Sequence, residues 1–404
     1  MRLFRLLLCL TWIQAQGEDW PQFLGPSRSG VYAGPEIDIS WAKTGPPLLW
    51  KADVGQGFSS PVVARGRVIL FHRLANRAVV ESLDAATGRR IWSADYPTDY
   101  RDDFGFDEGP RATPAVAGER IYTLGAEGLL QCLDFATGKR IWSVDLRQKF
   151  GAVKGFFGAA CSPLVDGDRV LVNAGGTNGA GIAAFAAANG KVLWTATDDE
   201  AGYSSPVMAT AGGARRALFF TRNGLVDIDP ADGKIRFRFS WRSRSHASVN
   251  AAVPIVVGNL VFLSASYGTG ATLLEIDGTR VKQLWASDDA LSNHYATSVY
   301  RDGYLYGYHG RQEYGQSLRS VEFKTGKVQW NVDRFGAGTV TLAGDRLVLV
   351  RENGELVIAR ASPQEFHPLA RAQLLPATVR AYPAIADGRL YVRNERTLAS
   401  FSLK

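Results

Sequence analysis

Short apolar runs broken by turn residues succeed one another from Pro46 to the C-terminus, and no stretch carries the spacing of a long helix. Val62-Val63, the turn Arg65-Gly66-Arg67 and Val68-Ile69-Leu70-Phe71 read as two strands joined by a hairpin. A third run, Val79 to Leu83, enters the turn Asp84 to Gly88, where Asp bonds its own backbone and Gly supplies positive φ. The run after that turn carries Trp92. The pattern predicts a four-stranded unit that is apolar on both faces and stable only when stacked on a neighbour.

The unit recurs. Leu83-Asp84-Ala85-Ala86-Thr87-Gly88-Arg89-Arg90-Ile91-Trp92 returns as Leu133-Asp134-Phe135-Ala136-Thr137-Gly138-Lys139-Arg140-Ile141-Trp142. It weakens through Ala184 to Trp194, Ile228 to Phe237 and Glu275 to Trp285, then revives from Val321 to Trp330. A second motif marks each first strand: Ser60-Pro61, Thr113-Pro114, Ser162-Pro163, Ser205-Pro206 and Val253-Pro254, with Ser298, Val340 and Pro383 in weaker copies. From Pro61 to Pro383 the seven steps average 46 residues, the period of a β-propeller. The expected fold is all-β, an eight-bladed propeller of four-stranded blades. Seven blades stay open, because the unit from Val340 to Leu375 has no Trp. Trp50, Trp92, Trp142, Trp194, Trp285 and Trp330 are expected to pack against neighbouring blades.

The last unit, from Tyr382 to Phe401, stops before a fourth strand, whereas Pro46 to Val54 reads as an orphan fourth strand. Pairing them closes the ring and removes an open edge. Residues 46–404 are thus assigned to the propeller and 18–45 to an N-terminal lead-in. Before these, Arg2 and Arg5 precede the apolar run Leu6 to Ile13, and Ala15-Gln16-Gly17 offers small residues at cleavage spacing. Residues 1–17 therefore read as a signal peptide, too short for a membrane span, and the expected destination is the periplasm or the exterior.

Composition changes little. The formal charge of +7 would fall to +5 on cleavage and is spread along the chain, with an acidic loop at Asp99 to Glu108 and a basic stretch at Arg236 to Arg244. Neither marks a nucleic-acid partner. Cys132 and Cys161 remain after cleavage, read as two buried thiols, with a bridge between them left open.

The Asp-x-x-Thr-Gly-x-x-x-Trp repeat, the Ser-Pro strand starts and the opening Asp19-Trp20-Pro21-Gln22-Phe23-Leu24-Gly25-Pro26 resemble the pyrroloquinoline-quinone-like β-propeller repeat superfamily. The resemblance covers everything after the signal peptide. It spans both quinoprotein alcohol dehydrogenases and the non-enzymatic assembly factor BamB, so it specifies fold more than function. For an enzyme it implies Ca²⁺ held against the quinone by carboxylate and amide oxygens, an Asp base and two adjacent cysteines. This chain has no Cys-Cys pair and no haem-attachment Cys-x-x-Cys-His. The expectation is a binding or scaffolding module without catalytic residues or a metal, the alternative being a small quinoprotein oxidoreductase using the quinone and Ca²⁺ on the axial face.

The segments entering the first strands should meet near the axis on one face. Arg111, Tyr203, Asn250, His294, Tyr295 and Arg380 lie on such segments. Cations among aromatic walls suit a small anionic, planar ligand, and the same face could take a protein partner. The stretches Arg242 to His246 and His309 to Glu313 are expected on that face as well. His246, His294 and His309 from three separate blades are a weak metal signal.

Overall fold

A computed structural model of the chain describes residues 19–41, 44–246 and 248–404. The signal-peptide reading falls on residues outside these. Eight antiparallel sheets follow one another in sequence order. Blade 1 comprises Val62–Ala64, Arg67–Leu74, Arg77–Asp84 and Arg90–Pro97. Blades 2 to 8 begin with Ala115–Ala117, Leu164–Asp166, Val207–Ala211, Ile255–Val257, Val299–Arg301, Gly338–Ala343 and Ala384–Ala386. The unit without a Trp is a full blade, the seventh, which excludes seven. Closure is as expected: Leu48–Asp53 pairs antiparallel with Thr397–Ser402 and completes blade 8. No helix among the described residues is long and apolar enough to cross a membrane.

The repeat motif is an interlock between blades. In blade 1, Asp84 Oδ1 accepts from the backbone N–H groups of Ala86 and Thr87 and from the Thr87 hydroxyl, at 2.8–3.1 Å. This holds the turn so that Gly88, at φ +72°, lies under the Trp50 ring, where a Cβ would come within 2.5 Å of it. The indole N–H of Trp50 donates to Ala85 O at 3.0 Å. Trp92 repeats this on Gly138 and Phe135 O, Trp142 on Gly190 and Ala187 O, Trp194 on Gly233 and Pro230 O, and Trp285 on Gly326 and Phe323 O. Each Trp thus packs on the turn of the following blade. Trp50, Trp142 and Trp194 are buried, while Trp92, Trp285 and Trp330 are half-buried. Trp330 finds no such glycine in blade 7 and instead donates to Ser362 O and packs on Phe366.

The Ser-Pro and Thr-Pro starts form a second interlock near the axis. Ser60 N–H donates to Thr113 Oγ1, Thr113 N–H to Ser162 Oγ and Ser162 N–H to Ser205 Oγ, at 2.9–3.1 Å. Val253 N–H donates to Thr297 Oγ1 in the same way.

The lead-in adds what no repeat foretells. Trp20 exchanges two backbone hydrogen bonds with Val63 of blade 1, and Pro21 O accepts from Val116 of blade 2. The buried Arg28 guanidinium donates to Ser162 O and Pro163 O of blade 3 and Pro206 O of blade 4. Val31–Tyr32 then pairs parallel with Leu342 and Ala343, so blade 7 carries a fifth strand. Tyr32 Oη accepts from Gly388 N of blade 8 at 3.0 Å. Cys132 and Cys161 are separate, free and buried, and burial pushes both thiols up to about 11.

Candidate functional site

The loops that lead into the inner strands enclose a cavity of about 230 Å³ at one end of the propeller axis. Aromatic rings wall it: Phe58, Phe106, Phe157, Tyr203, Tyr267 and Tyr295, with Phe23 of the lead-in and Tyr382 in edge-to-face contact at 5.3 Å. Ser60, Ser162 and Ser205 of the hydroxyl interlock also reach it.

Five of the expected residues, Arg111, Tyr203, His294, Tyr295 and Arg380, lie on this cavity. Asn250 does not. Its side-chain amide donates to Thr221 O at 2.9 Å and Trp241 O at 3.0 Å, and its backbone carbonyl accepts from the Tyr203 and Ser204 N–H groups. Backbone carbonyls of blade 4 thus hold the side chain away, and the flanking Val249 and Ala251 line the cavity instead.

The two arginines differ in what they have left to give. Arg111 donates to Asp102 Oδ2 and Asp107 O through one terminal nitrogen, and to Tyr100 Oη and Gly109 O through the other, at 3.0–3.3 Å. It therefore holds the Asp99 to Glu108 loop in place. Asp102 in turn accepts from the N–H groups of Phe104, Phe106 and Asp107. Arg380 instead donates only its Nε–H, to Glu352 Oε1 at 2.6 Å, and among the described residues its terminal nitrogens make no hydrogen bond. Phe58 lies between the two, with guanidinium carbons 5.6 and 5.3 Å from its ring centre.

His294 is buried beside Tyr267, and desolvation lowers its pKa to about 4, so the ring is neutral at pH 7. Its Nδ1 accepts from Gln312 N–H at 3.3 Å, which leaves the proton on Nε2, 2.8 Å from Tyr267 Oη. The Tyr267 hydroxyl proton is then unspent. Tyr203 Oη likewise accepts from Phe156 N and Phe157 N and keeps its own proton. Tyr295 is committed, donating to Glu352.

The other flagged stretches divide. Gln312 and Glu313 line the cavity, with Glu313 held by Arg311 at 2.9 Å. His309 accepts from Ser292 N–H at 3.1 Å, and His246 packs edge-on against Phe156. The three histidines do not share a site, and no group of three or more His, Cys, Asp or Glu among the described residues is placed to hold a metal ion.

Around the mouth stand Phe104, Phe106 and Tyr314, which are 52%, 56% and 77% exposed. Phe104 packs on Phe106, Phe156 and Phe157 at ring distances of 5.3–6.2 Å. Sequence reasoning placed neither these rings nor Phe23 and Tyr267 at the site. Their signal was the clustering of aromatics in loops, Phe104 with Phe106 and Phe156 with Phe157, where no strand pattern demands an apolar residue.

Comparison with curated proteins gives no match. Among solved structures the chain is similar to BamB from Moraxella catarrhalis, at 17% identity over 89% of this chain and 98% of that one, with a TM-score of 0.65. Quinohemoprotein alcohol dehydrogenase from Comamonas testosteroni matches at 16% identity over 95% and 80%, with a TM-score of 0.68. The computationally designed Ika8 protein matches at 12% over 91% and 100%, with a TM-score of 0.60. At such identities these likenesses establish the fold alone. The family model described as outer membrane protein assembly factor BamB matches residues 76–313, more than half of the sequence, and the chain belongs to that family of pyrroloquinoline-quinone-like propellers.

Proposed function

We propose that the protein is an exported, non-catalytic binding module whose recognition surface is the axial cavity and its aromatic rim, working in the periplasm or outside the cell after signal-peptide cleavage. The observation that carries this reading is the exposure of Phe104, Phe106 and Tyr314 around a preformed aromatic cavity. Exposed rings in contact, such as Phe104 and Phe106, mark interaction sites, since their hydration is unfavourable until something covers them. Membership of a family described as an assembly factor agrees with a partner on that face.

The quinoprotein alternative needs a cofactor pair that these residues do not fit. Ca²⁺ takes six to eight oxygen ligands. Here Asp102 is committed to Arg111 and three backbone amides, and Glu352 to Arg380, Tyr295 and Gln312. A quinone bearing several carboxylates also needs several open cations, and of the two cavity arginines only Arg380 keeps its terminal N–H groups free among the described residues.

A photoreactive residue at Phe104 should cross-link a partner in the cell, while one at Ile141, exposed on the outer strand of blade 2, should not. Adducts at Ile141 but not Phe104 would move recognition to the blade edges. Dye-linked alcohol oxidation after loading with pyrroloquinoline quinone and Ca²⁺ would restore the enzyme reading.

A further inference from the structure

The cavity has an unequal supply of hydrogen-bonding groups. Its acceptors are largely consumed: Glu352 receives Arg380, Tyr295 and Gln312, and Glu313 receives Arg311. His294 has its Nδ1 filled by Gln312. Its donors are not consumed. Among the described residues the terminal nitrogens of Arg380 and the hydroxyl protons of Tyr203 and Tyr267 have no acceptor. A ligand that satisfies this lining must bring acceptors rather than donors. Its body must also be flat and apolar enough to lie against Phe58, Phe106, Phe157 and Tyr295.

We propose that the cavity binds an aromatic carboxylate, its ring against the phenylalanine walls and its carboxylate on the Arg380 guanidinium, with the Tyr267 hydroxyl as a further donor. This rests on the axial face being the recognition surface and narrows it to a ligand class. One charge is called for rather than several, because Arg111 spends its terminal nitrogens on the loop it anchors. The open guanidinium is a fork that meets a carboxylate with two parallel bonds. The same ring and carboxylate could belong to a free acid or to the end of a chain.

Calorimetry at pH 7 with cinnamate, cinnamamide and a tetrapeptide ending in phenylalanine tests this. Cinnamate or the peptide should bind, and cinnamamide should bind at least tenfold more weakly than cinnamate. Tighter binding of cinnamate assigns a free acid, tighter binding of the peptide a chain terminus. Arg380→Met should weaken the acid by roughly 10- to 100-fold, the loss of a charge-assisted pair. It should fold, since Glu352 keeps Tyr295 and Gln312 as donors. Tyr267→Phe removes one hydroxyl and serves if the first variant melts early, with an expected loss of about threefold to tenfold. The proposal is overturned if neither acid binds at millimolar concentration, if the amide matches cinnamate, or if both variants bind like the parent. Cross-linking at Phe104 that persists while the acids fail would remove only the ligand class; its loss as well would remove the recognition face.

Discussion

His294 shows how one side chain sets the chemistry of its surroundings. Burial holds it neutral against the pull of Glu313 and Glu352, with Arg311 and Arg380 opposing its protonation. In the unfolded chain the ring takes a proton below about pH 6.5, whereas in the fold it resists until about pH 4. The unfolded state therefore binds more protons between these values, and stability falls as pH drops through that window and levels below it. For His294 the full loss is on the order of 3 kcal/mol. His309, lowered to about 4 by the same desolvation, adds in the same direction. Thermal melts from pH 7 to 4 should show the decline, and His294→Gln should flatten part of it. An unchanged slope in that variant would mean that the ring is not held neutral. None of this was legible in the sequence, where His294 stood as a cationic candidate among aromatics. Charge state depends on burial, and burial here comes from loops of several blades. The same reason separates Arg111 from Arg380, which look alike in sequence and differ in what each has left to donate.

At the scale of the element, the repeat was readable because it is a contact repeated with fixed chemistry. Asp, Thr and Gly build a turn whose bare Cα accepts the indole of the preceding blade, so the residue types recur wherever the contact does. Where the contact changes, the motif fades: blade 4 puts the buried Phe237 at the Trp position, and blade 7 offers Phe366 instead of a glycine. Blade 7 also lacks a Trp of its own, which is why the blade count was left open at Val340 to Leu375. Trp142 carries the contact in its complete form, buried, bonded to Ala187 O at 3.0 Å and stacked on Gly190. Trp142→Ala should destabilise by about 3–5 kcal/mol, read by denaturant titration. A loss below about 1 kcal/mol would show that the interlock between blades 2 and 3 does not rest on the indole.

For the whole molecule the question is what holds a ring whose blades touch only their neighbours. Two devices do it, and only one was visible. The strand Leu48–Asp53 was found because it has the composition of a fourth strand, and through Trp50 it also docks blade 8 onto the turn of blade 1. The lead-in was assigned only as a segment before the propeller, yet residues 19–38 bond to blades 1, 2, 3, 4, 7 and 8. It acts across the ring, where no nearest-neighbour contact can. Removing residues up to 32 deletes Trp20, Leu24 and Tyr32, each at most 2% exposed, while leaving the closing strand intact. Each such side chain stabilises by about 1.5–3 kcal/mol, so the cost should reach several kcal/mol with unfolding still cooperative. Removing residues up to 54 takes the closing strand as well and leaves Thr397–Ser402 as an open edge, so the transition should broaden or split and the protein should tend to associate. Calorimetric melts with light scattering separate the outcomes. A shorter truncation that melts like the parent would deny the lead-in its role as a clasp, and a longer one that remains monomeric with a single sharp transition would deny that the N-terminal strand closes the propeller.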